Sequence, residues 1–131
     1  MVKSHVVLSA DLTWALVQKN NVFVRRSRSA TRQSTYMSFS AEPNNLLAKH
    51  CFKHTGIASA GIGIKATAGD KNPTAVTVMV GDVNTSVKGI FQQQAKKVVA
   101  LCASRPDLTV TALRKLSVVQ KSLRVAKAAA N

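Results

Sequence analysis

Arg25, Arg26, Arg28 and Arg32 are interleaved with Ser27, Ser29, Ala30, Thr31, Gln33, Ser34 and Thr35, without an acid or an apolar period. A guanidinium is a planar fork of donors that fits phosphate oxygens two at a time. A stretch of this composition cannot pack on itself. Residues 25–35 are therefore expected to form a basic arm that orders on phosphates, against the plainer reading of a solvated loop. A second set of groups falls in residues 39–57. Pro43 fixes its own φ and pushes Glu42 toward extended backbone, so the chain must turn there. Asn44 and Asn45 tolerate turn geometry and carry amides that donate and accept at once. Lys49 and Lys53 follow, with Phe52 between them. This segment reads as a rigid corner that offers hydrogen-bonding and cationic groups to a polyanion.

Other chemistries lack a partner or a spacing. His50-Cys51-x-x-His54 brings three metal-ligand types together, but no distant fourth ligand matches it, and Lys49 and Lys53 would repel a cation. These three are expected to be surface or packing residues. Gly61-x-Gly63 lacks the third glycine and the following helix of a nucleotide loop. Glycines inside a strand more often permit close backbone approach. The acids are Asp11, Glu42, Asp70, Asp82 and Asp107, and no two are near enough in sequence to suggest a carboxylate pair. Nothing resembles a nucleophile elbow. An enzyme is not expected, nor a cofactor, a metal or a small-molecule substrate. The rival from that class is a small nucleic-acid-modifying or metal-dependent enzyme.

Charge decides the partner class. Against 19 Lys and Arg stand 5 Asp and Glu, a formal net charge of +14. Such a surface attracts nucleic acid or anionic membrane. A membrane is the weaker choice, because the apolar stripe of the last basic helix has a partner within the chain and lacks aromatic interface residues. No zinc finger, basic zipper or clear helix-turn-helix pattern points to DNA. Candidate contacts on loops and turns suit folded RNA, where shape and backbone contacts dominate. Cys51 and Cys102 form no C-x-x-C unit, which fits free thiols in a reducing compartment. The run Val6–Leu8 is too short for a signal-peptide core, and no run approaches the roughly 18 apolar residues of a span. An intracellular, soluble protein is expected.

The elements follow from period and punctuation. Ser9 caps a helix over 11–20 whose inward stripe is expected to be Leu12, Ala15 and Leu16, with Trp14 or Val17 at its edge. Val22–Val24 and Tyr36–Phe39 read as short strands, while 46–54 is a helical turn or an irregular connector. Ala60–Ala66 and Ala75–Val80 read as a hairpin around the turn cluster 68–73. A helix capped at Asn84 or Thr85 is expected to run to about Ala103, with Val87, Ile90, Phe91, Val98, Leu101 and Cys102 on one face. Asp107 is expected to cap the last helix. Ala112, Leu113, Leu116, Val119 and Leu123 line its core side, and Arg114, Lys121 and Arg124 its other side. The whole gives one domain over 1–131 of α+β class: a small, mostly antiparallel sheet with an N-terminal helix and two C-terminal helices packed on it, plus the basic arm.

Phe39-Ser40-Ala41-Glu42-Pro43-Asn44-Asn45-Leu46, followed by Lys49, Phe52, Lys53 and Gly56, resembles the signature of the eukaryotic large-subunit ribosomal protein family numbered twenty-eight. Leu12-x-Trp14 with Asn20, and Arg105-Pro106-Asp107-Leu108 with Ala112, Arg114 and Lys115, agree and stand in the family's order. The resemblance implies a structural, non-catalytic constituent of the cytosolic large subunit that binds and stabilises ribosomal RNA, including expansion segments, beside neighbouring ribosomal proteins. It also implies passage through the nucleolus during assembly. It carries over Asn44, Asn45, Lys49, Lys53 and Arg105 as RNA-facing or loop-fixing positions. Together with Arg25, Arg26, Arg28, Arg32, Arg114, Lys115, Lys121 and Arg124 they form the expected RNA-binding set. His50, Cys51 and His54 are not typical of the family. A nucleolar ribosome-assembly factor with the same domain is the nearest rival; such factors look longer and carry acidic extensions.

Overall fold

Short β-branched runs and two amphipathic stretches set the architecture. The computed structural model describes residues 8–26, 38–67 and 75–130. Its elements run α1 (Ala10–Val17), β1 (Val24–Arg26), β2 (Ser38–Ser40), β3 (Ile62–Ala66), β4 (Val76–Val80), β5 (Val83–Val87), α2 (Phe91–Leu101) and α3 (Thr109–Ala130), with two short 3₁₀ turns between α2 and α3. β3, β4 and β5 make an antiparallel meander in which Ile64 faces Val78 and Val78 faces Thr85. β1 and β2 form a separate antiparallel ribbon. The class is α+β, with two small sheets where one was expected.

One core joins the meander to the C-terminal helices. Ile62, Ile64, Val76, Val78 and Val87 meet Val98, Cys102, Leu108, Ala112, Leu116 and Val119, and Leu46 of the corner closes the same cluster. Leu113 and Leu123 pack at its margin, so the expected stripe of α3 is its inner face. Each fully buried aliphatic side chain contributes about 1.5–3 kcal/mol. Between the helices lies a buried amide pair, in which Gln120 Nε2 donates to Gln94 Oε1 at 2.6 Å while Gln94 Nε2 donates to Gly89 O at 3.1 Å. Burial without partners would be costly for either amide.

Several boundaries differ from expectation, each for a physical reason. Residues 84–87 are not the start of a helix but most of β5, since Gly81, at φ +56°, lets the chain fold straight back after Val80. A two-residue hairpin loop with glycine first has this requirement. Val87 is thus a strand residue, and Ile90 and Phe91 lie exposed at the start of α2 rather than on its core face. In α1, Ser9 Oγ accepts the Leu12 N–H at 3.3 Å as the cap, but Leu8, Leu12 and Leu16 face outward. The side held is that of Trp14, whose ring lies 5.1 Å from His50 and 6.1 Å from Phe52. Asp107 does not cap α3; its carboxylate turns to Arg105. Arg25 and Arg26 belong to β1, so the chain is still in a strand where the arm was expected to begin.

Candidate nucleic-acid interface

A buried acid holds the corner together. Glu42 accepts from Ser40 Oγ at 2.8 Å, from Thr55 Oγ1 at 3.1 and 3.3 Å, and from the Gly56 N–H at 2.7 Å. Only 7% of the residue is exposed. A carboxylate removed from water requires such donors, and these come from both limbs of the corner. Glu42 therefore ties residues 40–42 to 55–56.

The two asparagines fix the loop. Asn44 Nδ2 donates to Gly81 O at 2.9 Å and docks the corner on the β4–β5 turn. The docking needs bare backbone beneath it: a Cβ on Gly61 would sit 2.5 Å from Asn44 O, and one on Gly63 would sit 2.8 Å from Pro43 O. The Gly61-x-Gly63 pair thus serves the close approach of two backbones. Asn45 Nδ2 donates to Lys49 O at 2.8 Å, and its Oδ1 accepts the Leu47 N–H at 3.2 Å. Between these contacts Ala48 adopts φ +55°, a left-handed conformation that costs an L-residue about 1–2 kcal/mol. Ala48 O accepts the Ser40 N–H at 2.7 Å, which holds it there.

Arg105 reaches into the corner from the connection between α2 and α3. It donates to both carboxylate oxygens of Asp107 at 3.1 Å, to Ser59 Oγ at 2.7 Å, to Lys53 O at 2.9 Å and to Ala60 O at 3.4 Å. A guanidinium has five N–H donors, and here each has an acceptor. The residue works as a clamp. Its hydrogen bond to Asp107, reinforced by its charge, holds that carboxyl below the usual range. His54, 8% exposed, is pushed down by burial and by the cations Lys53, Lys49 and Arg105 around it.

The remaining sequence-predicted residues fall into three places. Lys49 and Lys53 are exposed on the corner. On the ribbon Arg25 and Arg26 are also exposed, with Arg25 directly opposite Phe39 and Arg26 donating to Lys19 O near the end of α1. Along α3, Arg114, Lys121 and Arg124 are exposed and Lys115 is half-buried. Arg28 and Arg32 lie outside the described residues. The structure thus brings Asn44, Asn45, Lys49, Lys53 and Arg105 into one corner, while the α3 cations occupy a separate helix face.

Sequence reasoning missed Ser40, Thr55 and Ser59, the hydroxyls that serve Glu42 and Arg105. Only the scarcity of acids in so basic a chain hinted that Glu42 would be buried and well supplied with donors. Phe23, Glu42, Pro43, Asn44, Gly56 and Ile57 line a depression of about 160 Å³ beside the corner. His50 Nε2 donates to Gln18 O at 2.8 Å, and among the described residues no group of three or more His, Cys, Asp or Glu is placed to hold a metal ion. No described helix is long and apolar enough to cross a membrane.

No family model matches the chain. The large ribosomal subunit protein eL28 of Dictyostelium discoideum is 30% identical over 132 aligned positions, covering 94% of this chain and 95% of the relative. At that identity over nearly the whole length of both proteins, the chain belongs to the eL28 family of large-subunit ribosomal proteins.

Proposed function

We propose that the chain is a non-catalytic structural constituent of the cytosolic large ribosomal subunit, that residues 1–131 act as one domain, and that it binds and stabilises ribosomal RNA. The observation that carries this reading is the corner, where Glu42, Asn44, Asn45 and Arg105 spend their polar groups on holding the backbone while Lys49 and Lys53 remain exposed. Rigid placement of a few cations lowers the ordering cost of binding a polyanion. Arg25, Arg26, Arg114, Lys115, Lys121 and Arg124 extend the contact over the ribbon and α3. Arg28 and Arg32 continue it in the basic arm. The loop-fixing positions act through the backbone they hold. Partners are large-subunit ribosomal RNA, including expansion segments, and neighbouring ribosomal proteins. The protein passes through the nucleolus during assembly and works in the cytoplasm, with no membrane, cofactor or small-molecule substrate.

A tagged copy sedimented through a high-salt gradient is expected to remain with mature large subunits. Release into the free pool would refute the ribosomal assignment, and restriction to precursor particles would replace it with an assembly role. In the same preparation, replacing Arg25, Arg26, Arg28 and Arg32 by Ala is expected to weaken RNA binding. It should lower the slope of log affinity against log salt by about 0.7–0.9 for each phosphate that is no longer neutralised.

A further inference from the structure

The β1–β2 ribbon carries an arrangement that the RNA-binding set above does not include. Phe39 pairs with Arg25 on β1 and, on its other side, forms an antiparallel bridge with Lys49. Residues directly opposite in antiparallel pairing share a face, so the ring stands between two cations. The second pairing is close. Ser40 N–H donates to Ala48 O at 2.7 Å and His50 N–H donates to Ser38 O at 3.4 Å. These bonds flank Phe39 and Lys49 and make them a non-hydrogen-bonded pair, the kind whose side chains lie nearest each other. Val24 and Ser40, on the opposite face, are half-buried and buried, whereas Arg25, Phe39 and Lys49 are all exposed, Phe39 to 42%. The described acids lie elsewhere: Glu42 is buried, Asp107 is tied to Arg105, Asp11 opens α1 and Asp82 sits in the β4–β5 turn.

We infer that this face is a stacking platform for one unpaired RNA base, with Phe39 under the base and Arg25 and Lys49 on the phosphates to either side. An exposed ring on a sheet, bordered by cations and with no carboxylate beside it among the described residues, matches what single-stranded RNA offers: a π-face per base and a charge per linkage. Arg25 spends one donor on Val22 O at 3.5 Å, which leaves most of its fork for a phosphate. Phe23, two positions before Arg25, has its peptide carbonyl held by the Ala41 N–H at 2.9 Å, so the ribbon's pairing extends past the end of β1. The platform rests on the ribosomal RNA reading and adds to it a single-stranded element and the residue that takes it.

The test uses the full chain and two probes: a short unstructured oligoribonucleotide carrying 2-aminopurine, and a fully paired RNA duplex of equal length. Wild type and Phe39→Tyr are expected to quench the 2-aminopurine on binding. Phe39→Ala and Phe39→Leu are expected to abolish the quench and to bind the single strand on the order of 5- to 150-fold more weakly, the range for removing one aromatic partner from a stacked base. Duplex affinity and the salt slope should be unchanged in all four. If the wild type binds the single strand without quenching, or Phe39→Ala and Phe39→Tyr bind it equally, the platform is wrong and Phe39 serves a protein neighbour or none, while the ribosomal reading stands. If the wild type binds neither RNA and leaves the large subunit in high salt, that reading fails as well.

Discussion

Arg105 of the corner and Arg114 on the outer face of α3 are the same cation in opposite settings. In the corner, Arg105 distributes its guanidinium among Asp107, Ser59, Ala60 and Lys53, acceptors that lie up to 52 residues away in sequence. On α3, Arg114 and Lys121 stand exposed on a helix that is fixed entirely by its other side. The difference teaches that positive charge in a strongly basic chain does not by itself mark a contact with the polyanion. What separates the two uses is whether the surrounding backbone offers carbonyls that need donors. Where it does, an arginine becomes part of the fold.

The largest difference between the two regions is expected at Glu42. Replacing Glu42 by Ala leaves Ser40 Oγ, Thr55 Oγ1 and the Gly56 N–H without their acceptor. At about 1–3 kcal/mol for a buried group left unsatisfied, a loss of about 3 kcal/mol or more is expected in urea unfolding. No comparable loss is expected anywhere on the outer face of α3. A next smaller effect is expected from Arg105→Lys, which keeps the charge and loses the fork. Hydrogen bonds of charged groups contribute about 1.5–3 kcal/mol, and a loss of about 2 kcal/mol is expected. Arg105→Gln removes the charge as well, and because the guanidinium is already occupied, the salt slope of RNA binding should stay as in wild type even there.

The corner should also respond to acid where the α3 face does not. His54 is pushed below the ordinary imidazole value of 6.5 by burial and by neighbouring cations. Unfolding therefore takes up a proton in the window below that value. Stability is full above pH 6.5 and falls as pH drops toward the lowered folded value. Asp107, held below its ordinary 3.8 chiefly by the Arg105 hydrogen bond, adds a further loss at lower pH as its carboxylate is protonated. Urea titrations at stepped pH are expected to show the first of these losses in wild type and not in His54→Gln. The smallest effect on stability belongs to the triple change of Arg114, Lys121 and Arg124 to Ala. Each exposed substitution should stay within about 0.5 kcal/mol, while the salt slope falls by about 0.7–0.9 per phosphate released.

The same contrast explains how much was legible in the residues. Local period carries far. Val76–Val80 and the stripe Ala112, Leu116 and Val119 are read correctly because alternation and 3.6-residue spacing are properties of adjacent positions. The turn at Pro43-Asn44-Asn45 is legible for the same reason. Misreadings occur where local signals compete: Val83-Asn84-Thr85-Ser86-Val87 supports a helix cap or a strand, and the hairpin geometry at Gly81 decides for the strand. In α1 the leucines form the more apolar stripe, yet Trp14 is held because its ring meets His50 and Phe52. The roles of Thr55 and Ser59 are not legible at all, and Arg105 enters only through the family resemblance, since their partners are set by the fold and not by spacing. Phe39 is legible as part of a motif, but its place between Arg25 and Lys49 appears only when the strands are in register.

The corner fixes its backbone with Glu42 and Arg105, and on the proposed function it grips RNA with Lys49 and Lys53. That division is tested most directly by the salt dependence of binding to purified large-subunit ribosomal RNA, compared between Lys49→Ala/Lys53→Ala and Arg105→Gln. A slope lowered by about 0.7–0.9 per lysine is predicted for the first and an unchanged slope for the second. A wild-type slope in the lysine variant, with a lowered one in Arg105→Gln, would contradict it.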